Sequence, residues 1–202
     1  MKKFFYFATA AVLAAVAVII ALRFFSAEPV SAQNDVSART AEVLDKKIER
    51  VKAAGKAGSR PNRETVEVSE VELESYVLHG LRDDIPARVD SVDVQLTEGA
   101  ISADTKLTFP SNSTGTSMVD ILLAGTHSFF VKGKFAASGG QGRFDLQDVR
   151  VDGIPVPTIL VESLIERYVK PKYPDVNIRE PFTMPWGIES LTITPGKTTV
   201  VY

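Results

Sequence analysis

One stretch constrains the fold of this chain more than any other: residues 157–169 (PTILVESLIERYV), the one long apolar helical pattern outside the N-terminal segment. Leu160, Val161, Leu164, Ile165 and Tyr168 recur at three- and four-residue spacing, and Glu162, Ser163, Glu166 and Lys170 fall opposite them. Pro157 suits a first helical turn, where its missing N–H costs nothing, and Pro171 stops propagation. A helix with one apolar face needs something to bury it against, and the chain after Thr65 offers strand patterns. The expected fold class is therefore α+β: a curved antiparallel β-sheet, built from hairpins, wrapped around this one long helix. An N-terminal membrane or signal helix and a basic spacer helix are expected to precede it.

The strands are read from alternation. Val92, Val94 and Leu96 alternate with polar residues, Glu98-Gly99 turns the chain, and Ile101, Ala103, Leu107 and Phe109 alternate again, which predicts a hairpin with one wet face. Phe129, Val131 and Phe135 lead to the turn cluster SGGQG at 138–142, and Phe144, Leu146, Val149 and Val151 return. The apolar phase slips between Leu146 and Val149, so a bulge is expected near Gln147 or Asp148. Pro195-Gly196 places a type II turn inside a last hairpin. Thr65 to Val68 alternates like an edge strand. Ser69 and Glu72 then have capping-box spacing, and Leu73, Tyr76, Val77 and Leu81 share one side of a short helix that Gly80 would cap. The run 118–124 is equally consistent with helix, strand or a flap.

Three segments follow. Residues 1–32 contain Lys2 and Lys3 followed by an uninterrupted apolar run at 4–22, which reads as a membrane anchor or, with Val30-Ser31-Ala32 downstream, a cleavable signal peptide. The positive N-terminal flank places the remainder on the extracytoplasmic side, in a periplasm or at a cell surface. Residues 33–63 read as a basic spacer helix and linker. Val36, Thr40, Val43, Leu44, Ile48 and Val51 form a narrow stripe beside Lys46, Lys47, Arg50 and Lys52, suited to anionic lipid, to a partner helix or to plain solvation. Residues 64–202 form the α+β domain. Residues 1–63 hold 11 Lys+Arg against 5 Asp+Glu, and 64–202 hold 12 against 20, giving +6 and −8. An acidic domain is a poor partner for nucleic acid, so none is expected.

The residues that carry chemistry are sparse. There is no cysteine, which excludes thiolate metal sites and cysteine nucleophiles. His79 and His127 sit in different elements with no ligand spacing around either, so no metal site is expected. Asp148, Arg150 and Asp152 alternate along a strand and read as charge pairs on its wet face, not as a calcium site with Asp145. Gly139, Gly140 and Gly142 lie between strands and lack the helix N-terminus of a phosphate cradle. No serine stands in a nucleophile elbow. No catalytic residue and no cofactor is assigned, and a non-enzymatic protein is expected.

Val66 to Tyr76 (VEVSEVELESY), Gly153-Ile-Pro-Val-Pro157 and Pro185-Trp-Gly-Ile188 together resemble a group of exported bacterial domains, nearest the LmeA-type phospholipid-binding family. The resemblance spans roughly residues 65–202 and implies a curved sheet around a helix, similar to half of a tubular lipid-binding module, with an apolar groove and no catalytic residues. The expected groove between sheet and helix is lined by Phe129, Phe130, Val131, Phe135, Leu160, Leu164, Tyr168 and Trp186, the last being equally a plug at the end of the core. Membrane lipid, or another apolar molecule, is the expected ligand. The competing expectation is a membrane-anchored scaffold that docks another envelope protein, with the oligomeric state left open.

Overall fold

In the computed structural model the described residues are 35–56, 63–82, 87–109, 125–157, 159, 161 and 180–202. They begin with helix α1 (Ala38–Lys56), followed by strand β1 (Thr65–Ser69), helix α2 (Glu70–Ser75) and a π-helical turn (Tyr76–Gly80). Two long hairpins come next: β2 (Arg88–Thr97) with β3 (Ala100–Phe109), and β4 (Gly125–Ser138) with β5 (Gln141–Val151). Short strands β6 (Ile154–Pro155) and β7 (Phe182–Thr183) lie along β5, and the hairpin β8 (Ser190–Thr194) with β9 (Lys197–Val201) closes the chain. All pairings are antiparallel. The sheet runs in the order β1-β9-β8-β4-β3-β2, with β5 on the other side of β4.

Strand β4 is long enough to serve two neighbours on one side. Its residues from Gly125 to Lys134 pair with β3, and Ala137 pairs with Leu191 of β8. Gly99, in the β2–β3 turn at φ +65, sits at the junction. Its N–H donates to Ile193 O and its carbonyl accepts from Phe135 N–H, each at 3.1 Å. The phase slip read in the sequence is a register shift in β5 between Leu146 and Asp148, which leaves Gln147 as the bulged residue. A second shift falls between Val89 and Ser91 of β2.

Among the described residues, other helices than the expected one pack on this sheet. The described architecture is an antiparallel sheet with α1 and the short α2 and π turn packed on it, not a sheet wrapped around one long central helix. Of the expected helix at 157–169 only Pro157, Ile159 and Val161 are described: Val161 is buried, and Ile159 is 69 % exposed. Leu160, Leu164 and Tyr168 lie outside the described residues, as do the apolar run at 4–22 and the run at 118–124. No helix among the described residues is long and apolar enough to cross a membrane.

The spacer helix is corrected with it, because α1 is part of the core. Leu44, Ile48 and Val51 are fully buried, with Thr40, Ala41 and Ala54 beside them on the same face. Its stripe suffices because small residues bring the backbone close. A Cβ on Gly55 would stand 2.5 Å from the Trp186 Cα. Its basic side chains have partners on the body: Lys47 meets Glu72 at 2.5 Å and donates to Glu67 O at 2.7 Å, and Arg50 meets Glu64 at 2.9 Å. Two of the charges that made the helix look like a solvated spacer, Lys47 and Arg50, are thus paired with acids outside the helix, and Lys52 pairs within it with Glu49.

Helix α2 protects an edge of the sheet. Its capping box forms as the spacing predicts, with Ser69 N–H donating to Glu72 Oε2 at 2.9 Å and Glu72 N–H donating to Ser69 Oγ at 3.3 Å. One turn apart, Glu70 and Glu74 accept the outward N–H groups of Leu96 and Val94 on β2, at 2.6 and 2.9 Å. The strand edge is thereby capped by two carboxylates, which prevents further strand addition there. Gly80 is no left-handed cap; a Cβ there would strike the Tyr76 ring at 2.6 Å, inside the π turn closed by Leu81 N–H on Tyr76 O.

Candidate functional site

The registers of β2 to β5 lay out one inner face row by row. Val89, Leu107 and His127 form the outermost row; Val92, Thr105, Phe129 and Val151 the next; then Val94, Ala103, Val131 and Val149; then Leu96, Ile101, Gly133 and Leu146. Period-two alternation puts all of these on the same side of the sheet. The centre is closed: Leu107, Phe129, Val131, Val94 and Leu96 are buried. Half-buried apolar residues on the same face are Val89, Val92, Ile101, Ala103, Leu146 and Val151. Thr105 and His127 are the polar residues of this face.

Of the predicted lining residues, Phe129, Val131 and Phe135 do share the inner face. Phe129 stacks obliquely on Phe109 at 6.1 Å, and Phe135 meets Phe182 at 6.3 Å. Phe130 points to the opposite, polar face, where the Arg150 guanidinium lies 5.6 Å from its ring centroid. Trp186 packs beside α1, with Lys52 Nζ 5.8 Å from its ring.

At the outermost row the face turns polar in a way that alternation alone did not foresee. His127 stands among Leu107, Phe109 and Phe129, with the Phe109 ring centroid 6.3 Å away. Its Nδ1 lies 2.6 Å from Asp152 Oδ2. Arg150 and Asp148 form the expected ion pair at 2.6 Å, but Asp152 leaves that row. A left-handed backbone at φ +50 swings its carboxylate back across the strand, where Oδ1 accepts Ser128 N–H at 2.8 Å. The His127 hydrogen bond, and then that of Ser128, hold the Asp152 carboxyl below its ordinary pKa. A carboxylate only accepts, so His127 donates from Nδ1, and the other ring nitrogen is Nε2. That atom is closed to solvent and has no hydrogen-bond partner among the described residues. The signal that could have found this pair is the Asp152-Gly153 turn dipeptide, which permits a left-handed residue at the strand end.

A second polar group lies on the rim. The Thr108 hydroxyl bonds the Asp90 carboxylate and stands 2.7 Å from the Thr126 hydroxyl, and the Asp90 carboxyl is held below its ordinary value by Thr108 first and Arg88 second. No cluster of His, Asp and Glu among the described residues could hold a metal ion. No family model and no curated protein matches the chain.

Proposed function

We propose that this chain binds a lipid or another acyl-chain ligand against the inner face of β2 to β5, on the extracytoplasmic side of a membrane. The observation that carries the reading is that half-buried apolar residues surround the closed core on that face: Val89, Val92, Ile101, Ala103, Leu146 and Val151, with Thr105 and His127 the polar residues among them. Surface of that kind gains about 25 cal/mol for each Å² removed from water, and a flexible chain is the shape that covers a curved sheet. The resemblance of residues 65–202 to LmeA-type phospholipid-binding domains points to the same ligand class, and the apolar run at 4–22 would supply the membrane. The pairing of His127 with Asp152 is read as a binding feature.

The scaffold alternative docks another protein through the acidic domain or through the basic helix, and an exposed α1 stripe would favour it. Leu44, Ile48 and Val51 are fully buried, so the stripe itself gives that alternative no support.

The test is native mass spectrometry of the full chain purified from membranes, followed by lipid extraction. Bound lipid is expected in the wild type and is expected to be lost in Val151→Asp, with circular dichroism unchanged. A wild-type chain that carries no lipid and takes up no acyl probe would overturn the reading.

A further inference from the structure

We propose that Ile154, Pro155, Pro157 and Ile159, on β6 and just after it, enter the lipid interface of the membrane and seat the ligand face against it. The proposal rests on the binding reading above and adds where that face meets its lipid. Among the described residues the exposed large hydrophobics are Val36, Ile154 and Ile159, and two of them stand here, 70 % and 69 % exposed. Pro155 and Pro157 are exposed between them, and Val156 is half-buried. From Gly153 to Val161 the sequence carries no charged residue, in a chain where 24 % of residues are charged. Ile154 pairs with Val151, a half-buried residue of the inner face, so the patch continues that face to its rim.

Exposed apolar side chains suit a protein partner as well as a bilayer, and the backbone separates the two. Val156 N–H donates inward to Val149 O at 2.8 Å, so strand alternation turns residues 155 and 157 outward, away from β5. Both are proline, which offers no N–H to an added strand. The same feature lowers the cost of entering lipid, where a backbone donor without a partner is expensive. Ile154 is held in the β5–β6 ladder, Val156 is bonded, and the prolines have no donor to satisfy. The apolar run at 4–22, read as a membrane anchor, would hold the domain near the bilayer at an effective concentration on the order of millimolar, so a few apolar side chains suffice. With no charge of its own the segment does not select anionic headgroups.

The test uses the full chain reconstituted in phosphatidylcholine vesicles, with and without phosphatidylglycerol. The chain has no cysteine, so Ile159→Cys carries a single nitrobenzoxadiazole label, and Glu98→Cys, in the exposed β2–β3 turn at the far end of those strands, carries the control. The label at 159 is expected to shift its emission to the blue and to be quenched by lipids bearing a nitroxide high on the acyl chain, while the label at 98 stays open to aqueous iodide. Both results are expected to be the same in the two lipid mixtures and at low and high salt. Adding Ile154→Asp is expected to lower the ratio of docked to free domain about tenfold, the worth of one isoleucine kept from water. Circular dichroism should not change, because that side chain is 70 % exposed. A label at 159 that stays in water while the chain floats with the vesicles would overturn the docking and leave the binding reading standing, to be judged by its own lipid analysis. Docking that needs phosphatidylglycerol or is lost in salt would overturn the apolar contact. Cross-linking of Ile159→Cys chains to each other in place of quenching by lipid would seat a second copy on the patch and overturn it as well. A chain that does not float with the vesicles would overturn both the docking and the membrane placement in the binding reading.

Discussion

The Lys47 ammonium of α1 and the Glu72 carboxylate of α2 meet at 2.5 Å with side chains only 13 % and 12 % exposed. A pair so nearly closed to water is strongly destabilising to break one-sidedly, because the remaining charge keeps its desolvation cost without its partner. Lys47→Met is expected to cost about 3 kcal/mol, and Leu44→Ala on the same helix about 2–5 kcal/mol. Lys46→Met, on the exposed side, should stay within about 0.5 kcal/mol. Urea midpoints of the full chain decide, and equal small effects for all three would make α1 the solvated spacer that its charge suggests.

Glu74 and Asp152 should leave opposite marks on the pH dependence of stability. Burial raises the Glu74 carboxyl above its ordinary value of 4.5, against the opposing hydrogen bond from Val94. Over the window from 4.5 up to the raised folded value the native state binds more protons than the unfolded chain, so this group makes stability fall as pH rises. Glu74→Gln keeps an acceptor for Val94 and should remove that slope. Asp152 is depressed below 3.8, so its contribution is complete above 3.8 and is lost as pH falls through the folded value. In Asp152→Asn the acid loss should shrink. Thermal midpoints measured from pH 3 to pH 7 would show both, and identical profiles for wild type and variants would refute the assignments.

Gly55→Ala offers a test of packing against propensity. In an exposed helix interior the change stabilises by about 1 kcal/mol. Here the new Cβ would meet the Trp186 Cα at 2.5 Å and its carbonyl oxygen at 2.6 Å, both backbone atoms that cannot rotate aside. A net loss of about 1–3 kcal/mol is expected, with a change in Trp186 fluorescence. A gain in stability would place the end of α1 away from Trp186.

The two faces of the sheet separate Phe130 from Val151. Phe130→Asp puts a charge on the polar face beside Arg150 and should leave acyl-probe binding unchanged. Val151→Asp brings an unpaired carboxylate to the inner face and should abolish it. Probe titration beside circular dichroism distinguishes them, and the reverse order of effects would put the ligand on the wrong side of the sheet.

Sequence alone determined what is local. Alternation placed the strand pairs from Val92 to Phe109 and from Phe129 to Val151, and the phase slip after Leu146 located the bulge to within a residue. The Ser69–Glu72 spacing and Pro195-Gly196 announced a cap and a turn that form as expected, Gly196 standing at φ +80. Each of these depends on neighbours a few residues away. What only the tertiary structure decided depends on partners distant in the chain. The basic charge of α1 spoke for solvent until Glu72 and Glu64 were found beside it, and no periodicity in residues 38–56 encodes where those acids lie. Phe129 and Phe130 are equally apolar in the sequence, and only the sheet register assigns one to the core and the other to Arg150. His127 and Asp152 are 25 residues apart, and one left-handed backbone at the end of β5 joins them. A hydrogen bond across strands is a property of register and backbone direction, which a single sequence specifies only through the whole fold.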